Sequence, residues 1–209
     1  MIKRDITNKL LQLSKQYPVV TITGPRQSGK TTLAKAAFKE KEYVSLENMD
    51  IRRHAQQDPK AFLENLSTGA IIDEIQRVPD LLSYIQTIVD ENDIHGQFIL
   101  TGSRQFNLMD SISQSLAGRT ALLVLLPFSI SEIYKKEKHL DINKVLYKGF
   151  YPRIFDKNLN PTEAYSFYVS TYVERDIRSL IQVKDIGRFE TFLKLCASRT
   201  GQILNLSSI

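Results

Sequence analysis

Val19 to Thr32, VVTITGPRQSGKTT, reads as a strand, a tight loop and the first turn of a helix. Its first five residues, Val19 to Thr23, are all β-branched, the composition of a strand buried on both faces of a parallel sheet. Gly24 and Gly29-Lys30-Thr31 then fit the spacing G-x-x-x-x-G-K-[ST] of a phosphate-binding loop. A nucleotide polyphosphate needs inward-pointing amides, and glycine lets the backbone approach closely and take positive φ. The loop delivers phosphate to a helix N-terminus, where unpaired N–H groups favour negative charge. The expected nucleotide-binding residues are therefore Gly24, Pro25, Arg26, Gln27, Ser28, Gly29, Lys30, Thr31 and Thr32, with Lys30 reaching the β- and γ-phosphates and the Thr31 hydroxyl ligating Mg²⁺. Leu33, Ala34, Ala36, Ala37 and Phe38 continue as a helix packed on a sheet.

Composition sets the frame. The chain has 209 residues, 42% hydrophobic and 24% charged, enough for one sizeable core and a smaller second unit. Its single cysteine, Cys196, excludes an internal disulfide and is expected to be a small buried apolar residue. Net charge is +5 with a pI near 9.2, but both signs are interspersed. This permits nucleic-acid contact without arguing for it. The N-terminus is amphipathic rather than a signal peptide, and the longest apolar run, Ala121 to Pro127, is too short to span a bilayer. The expected compartment is the cytoplasm, with no membrane partner. His54, His95 and His139 are scattered and show no metal-ligand spacing.

Residues 2–16 predict a helix with Ile6, Leu10, Leu11 and Leu13 on its apolar stripe and Lys3, Arg4, Lys9 and Lys15 largely off it. Tyr43 to Leu46 reads as a second strand, and Asp58-Pro59 starts a helix with Asp58 as its cap. Ala70-Ile71-Ile72-Asp73-Glu74 is the second chemical motif. Apolar residues lead into adjacent carboxylates, which on a central parallel strand emerge at the carboxyl end beside the phosphate loop. Asp73 suits Mg²⁺, directly or through water, and Glu74 suits polarising a water for attack on the γ-phosphate. Pro79 to Glu91 predicts a helix. Gln97 to Leu100 predicts a strand ending in Thr101-Gly102-Ser103, where Ser103 or Thr101 can hold the attacking water and sense the phosphate.

Asn107 is expected to cap a helix through Leu116 that Gly118 stops, and Arg119 follows at once, before Ala121 to Leu126, which reads as a further buried strand. A guanidinium there can neutralise transition-state charge on a phosphate of its own subunit or of a neighbour, or simply pair with a surface carboxylate. Beyond Pro127, Ser129 to Glu132 is a capping box, Asn160-Pro161 starts a helix with an aromatic stripe, and Asp185 to Arg199 reads as a final helix.

Strands alternating with helices predict an α/β fold: a P-loop NTPase three-layer sandwich with a central parallel five-stranded sheet, followed by a smaller, mostly helical region. A glutamate after the aspartate points to a hydrolytic ATPase, and the absence of N-K-x-D disfavours GTP. GPRQSGKTTL, IIDEIQRVPDLL, FILTGSRQFNLM, SLAGRTALLVLLPFSISEI and the C-terminal YVERDIRSL…FLKLCASRTGQILNLSSI together resemble the prokaryotic AAA-type ATPases that carry a C-terminal domain of unknown function. The resemblance implies an AAA-like core over residues 1–130 and a helical region over 131–209 leading into winged-helix and nuclease-like parts, so the C-terminal domain is expected to be incomplete here. It implies phosphate binding at Gly24–Thr32, Mg²⁺ at Thr31 and Asp73, water activation by Glu74, sensing at Thr101–Ser103 and a phosphate-facing Arg119. The expected activity is hydrolysis of ATP with Mg²⁺ that drives or times rearrangement of the C-terminal region. The rival is a slow ATP/ADP-gated binding module for a protein or DNA partner; under either reading the expected partners include another protein or a homo-oligomer.

Overall fold

The computed structural model describes residues 2–92, 94–103, 110, 112, 114–137, 139–173 and 186–203. The chain divides into two compact units, residues 1–158 and 159–209. In the first, helix α1 (Thr7–Leu13) precedes strand β1 (Val19–Thr23), and α2 (Lys30–Ala37) leads to β2 (Glu42–Ser45). Helices α3 (Met49–Gln57) and α4 (Pro59–Glu64) follow, then β3 (Ala70–Asp73), α5 (Leu81–Asn92), β4 (Phe98–Thr101) and β5 (Thr120–Val124). Short helices α6 (Ile130–Tyr134), α7 (Ile142–Lys148) and α8 (Pro152–Asp156) complete the unit. The predicted cap at Asn107 lies outside the described residues.

The five strands form one sheet in the order β2-β3-β4-β1-β5, with every neighbouring pair parallel. β4 is inserted between the loop strand β1 and the carboxylate strand β3. Period-2 alternation sorts side chains onto two cores. Val19, Ile72, Phe98 and Leu100 face α3, α4 and α5, joining Phe62, Leu63, Leu81, Leu82 and Ile85. Val20, Ile22, Ile71 and Ile99 face the opposite way, with Leu10 of α1 and Leu33 and Ala34 of α2. Burial on both faces of β1, β3 and β4 produces the three layers read from the sequence. Each fully buried Leu or Ile contributes about 1.5–3 kcal/mol from water exclusion.

Two expectations change. The first helix is shorter than residues 2–16, because Arg4 is drawn out of it by partners described below, and Leu11 is exposed rather than core-facing. β5 is an edge strand rather than a buried one: Ala121 and Leu123 point inward, while Leu122, Val124 and Leu126 are exposed. An apolar run alone does not distinguish these cases. The helix starts at Asp58, Ser129 (in a full capping box with Glu132) and Asn160 are as read, each side chain accepting backbone N–H bonds, and Asn48 caps α3 in the same way.

In the second unit, α9 (Pro161–Tyr168) continues into a wider turn, Val169–Val173, and α10 spans Ile186–Ser198. Cys196 is exposed on α10, contrary to the expectation of burial. Among the described residues no helix is long and apolar enough to cross a membrane.

Candidate active site

The carboxyl ends of β1, β3 and β4 meet at one edge of the sheet, and the candidate residues gather there. Gly24 leaves β1 with φ of 145°. The backbone of Leu125 crosses directly over it, so that any Cβ would fall far inside contact distance of the Leu125 carbonyl oxygen. Gln27 and Gly29 take positive φ of 60° and 92°, turning the loop into α2. Lys30, the first residue of α2, is buried, and its ammonium donates to the carbonyls of Gly24 at 3.2 Å and Pro25 at 2.9 Å. Burial lowers its pKa, against the raising effect of Glu74 and Asp73, while Arg26 adds to the lowering. The Ser28 hydroxyl is fully buried and makes no hydrogen bond among the described residues.

Strand parity explains the convergence. Tyr43, Asp73 and Thr101 all lie on the α2 side of the sheet, being paired with or two residues from Ile71 and Ile99. Asp73 accepts hydrogen bonds from Thr31 Oγ1 (3.0 and 3.1 Å to its two oxygens), from the Tyr43 hydroxyl (2.9 Å) and from Thr101 Oγ1. Burial, the hydrogen bond to Asp73 and its charge push the Tyr43 hydroxyl up to about 12. The Lys35 ammonium sits over the Tyr43 ring at 3.3 Å.

Glu74 follows in a left-handed conformation, φ 60° and ψ 45°, ahead of a 3₁₀ turn at Ile75–Arg77. The change of hand turns it away from the Asp73 network. Its carboxylate accepts a hydrogen bond from Gln76 Nε2, which lies 3.4 Å from the buried Ser103 Oγ. Burial, then the neighbouring Asp73, raises its pKa, while the Gln76 hydrogen bond and Lys30 act in the opposite direction. Thr101 and Ser103 therefore separate in role: Thr101 braces Asp73, and Ser103 faces the Glu74 side.

The donor set suits Mg²⁺ on a phosphate. A magnesium site of this kind uses one or two hard protein oxygens and takes the remainder from phosphate and water. Thr31 and Asp73 are such a pair, and the buried, unpartnered Ser28 hydroxyl is a further polar group in the same loop. Among the described residues no group of three His, Cys, Asp or Glu could hold a metal by itself.

Arg119 is not brought to this edge. Its carbonyl accepts from Val19 N at the amino end of β1, so the length of the strand, about 16 Å for five residues, separates it from the phosphate loop. Its guanidinium makes a forked pair with Asp90, 2.5 and 2.7 Å, and also donates to the Ala117 carbonyl.

An AAA domain is the family that matches residues 16–134. The chain belongs to the AAA family. A domain of unknown function, DUF8612, matches residues 139–209. Uncharacterized proteins of Mycobacterium tuberculosis and Mycobacterium bovis are each 32% identical over 183 residues, covering 85% of this chain and 40% of theirs. The chain thus spans well under half the length of these relatives. A Walker-type ATPase of Pyrococcus abyssi shares the fold at a TM-score of 0.57 and 15% identity, over 86% of this chain and 75% of that one.

The AAA core also holds contributors that sequence reading passed over. Arg4 donates to the carbonyls of Ser28 (2.8 Å), Leu126 (2.7 Å) and Pro127 (3.3 Å), pairs with Glu132 at 3.0 Å, and lies over the Phe128 ring. Its sequence signal was a cation near an amphipathic helix, which ordinarily marks a solvated face. Tyr43 and Gln76 were likewise hidden in a strand and a turn. Beside the loop, Arg4, Gly29, Thr32, Leu33, Phe128 and Pro152 help to line a mainly apolar cavity of about 230 Å³.

Proposed function

We propose that this AAA core binds ATP with Mg²⁺ and hydrolyses its β–γ anhydride, and that turnover drives or times a rearrangement of the C-terminal region. The observation that carries the reading is the convergence of Lys30, the Thr31–Asp73 pair and Glu74 at the carboxyl ends of the parallel strands β1 and β3, on either side of β4, where α/β sheets bind ligands. The amides of residues 24–32 and the Ser28 hydroxyl receive the phosphates, and the apolar cavity beside Gly29 and Thr32 suits the adenine base. Lys30 moves from the loop carbonyls to the γ-phosphate and offsets the charge that develops there.

Thr31 would hold Mg²⁺, with Asp73, braced by Tyr43 and Thr101, orienting that site, and the ion would supply neutralisation of phosphate charge there. Glu74 accepts a proton from a water as its oxygen bonds the γ-phosphorus and the bond to the β-phosphate oxygen breaks; ADP leaves and the proton passes to solvent. Arg119, remote from its own loop, is assigned to a phosphate held by a second copy of the chain.

The deciding experiment measures phosphate release from ATP and Mg²⁺, beside nucleotide binding, on the unsubstituted chain and on Glu74→Gln. The expected result is release in the former, release reduced about 10²–10⁴-fold in the latter, and binding retained in both. Binding without release in either chain sinks the hydrolytic reading and leaves a nucleotide-gated binding module for a protein or DNA partner. A partner affinity that falls steeply with salt then identifies nucleic acid.

A further inference from the structure

We propose that Gln76 is the positioning residue of hydrolysis, holding the Glu74 carboxylate against Ser103 and offering its own carbonyl oxygen to the attacking water. The inference deepens the ATPase reading and rests on it. The side-chain amide of Gln76 is shared between Glu74 Oε2 and, at 3.4 Å, Ser103 Oγ. An ionised carboxylate only accepts, so the nitrogen end of the amide must face Glu74 and the oxygen end must point elsewhere. That oxygen, Oε1, is buried and has no hydrogen-bond partner among the described residues. A buried acceptor without a donor is a costly feature, and folded proteins keep few of them.

Local folding does not require it. The turn is closed by its backbone, Arg77 N to the Glu74 carbonyl at 2.9 Å and Val78 N to the Ile75 carbonyl at 3.1 Å. It is anchored by the buried side chains of Ile75 and Val78. The Gln76 side chain takes no part in either. What it does fix is Glu74, which stands in the left-handed region where a residue with a side chain rarely rests. Strain of that kind persists where surrounding contacts over-determine it, and among the described residues the hydrogen bond from Gln76 is the one that holds the carboxylate.

The chemistry follows from the count of acceptors. A water that gives one O–H to Glu74 and the other to Gln76 Oε1 keeps a lone pair for phosphorus. Its oxygen bonds the γ-phosphorus as the bond to the β-phosphate oxygen breaks, and Glu74 takes one proton. Gln76 is neither protonated nor deprotonated.

The test compares the unsubstituted chain with Gln76→Ala and Gln76→Glu, the second keeping size but replacing the donor with an acceptor. Turnover, ATP affinity, melting temperature and affinity for ADP with aluminium fluoride are measured for each. Both variants are expected to lose about 10–100-fold in kcat and in affinity for the fluoride complex, with ATP affinity and melting temperature essentially unchanged. Gln76→Ala added to Glu74→Gln is expected to slow turnover by less than it does in the unsubstituted chain, because part of its effect runs through that carboxylate. Undiminished turnover in both Gln76 variants, beside an active unsubstituted chain, overturns the inference alone. So does a parallel loss of ATP affinity and melting temperature, which marks a merely structural role. No turnover in the unsubstituted chain overturns the ATPase reading and this inference with it.

Discussion

The Thr31 hydroxyl is shared between the two oxygens of the Asp73 carboxylate, at 3.0 and 3.1 Å, and so ties the first turn of α2 to the end of β3. Those two residues stand 42 positions apart in the sequence and belong to strand–helix units separated in the sheet by β4. The Tyr43 and Thr101 hydroxyls, from the strands on either side of β3, bind the same carboxylate and fix its direction. With Thr31→Ala or Asp73→Asn, nucleotide affinity in the presence of a chelator is expected to match that of the unsubstituted chain. The gain in affinity on adding Mg²⁺ is expected to shrink about tenfold or more. Titration of a fluorescent ATP analogue with and without Mg²⁺ reads the difference.

Gly24 is required by a strand as much as by a phosphate. Leu125 crosses over it so closely that a methyl group must displace the chain just beyond β5. Gly24→Ala is expected to cost about 3 kcal/mol or more, from overpacking together with an unfavourable φ. Gly118→Ala separates the two contributions: its φ is 77° but no described residue lies within 4 Å of the added Cβ, so it should cost only about 1–2 kcal/mol. Chemical denaturation of both variants tests the order; equal losses would refute the crowding argument.

Arg119 and Asp90 form a forked pair at the amino end of the sheet, away from the phosphate loop of the same chain. The Arg119 hydrogen bond, the largest influence, holds the Asp90 carboxyl below its ordinary range. A depressed carboxyl contributes stability above its unfolded pKa and loses it as pH falls through the lower folded value, so the pair persists across the neutral range. If Arg119 serves a neighbouring chain, Arg119→Ala and Glu74→Gln should each be inactive alone, while an equimolar mixture recovers about a quarter of full turnover through mixed head-to-tail contacts. A mixture as inactive as its components argues against that assignment.

Arg4 joins the N-terminal segment to the phosphate loop and to the chain leaving β5 through three carbonyls and Glu132, with its side chain only 10% exposed. Arg4→Ala is expected to destabilise the core by about 2–4 kcal/mol, since it leaves a partly buried carboxylate and several carbonyls without their donor. Nucleotide affinity should weaken with it, because the loop carbonyl at Ser28 is one of the anchors. Arg4→Lys should restore less than half of the loss, an ammonium being unable to fork to separated acceptors. Urea unfolding and ATP titration check both points.

The residues nearest the chemistry were legible because their signals are local. VVTITGPRQSGKTT carries strand, loop and helix start within fourteen consecutive residues, and AIIDE couples an apolar strand to its terminal carboxylates. Phosphate binding demands glycine, lysine and threonine at fixed short spacing, so the sequence alone determined Lys30, Thr31, Asp73 and Glu74 as candidates, together with the alternation of strands and helices. Only the tertiary structure decided which face each side chain takes and what crosses it. Strand order and parity bring Tyr43 and Thr101 to Asp73, an edge position exposes one side of β5, and the span of β1 keeps Arg119 from its own phosphate loop. Arg4 and Gln76 carry no motif, because a guanidinium on a carbonyl or an amide on a carboxylate gains its meaning from partners distant in sequence or turned toward it by one left-handed residue. Local spacing encodes the groups that touch a ligand; long-range packing encodes the groups that hold them in place.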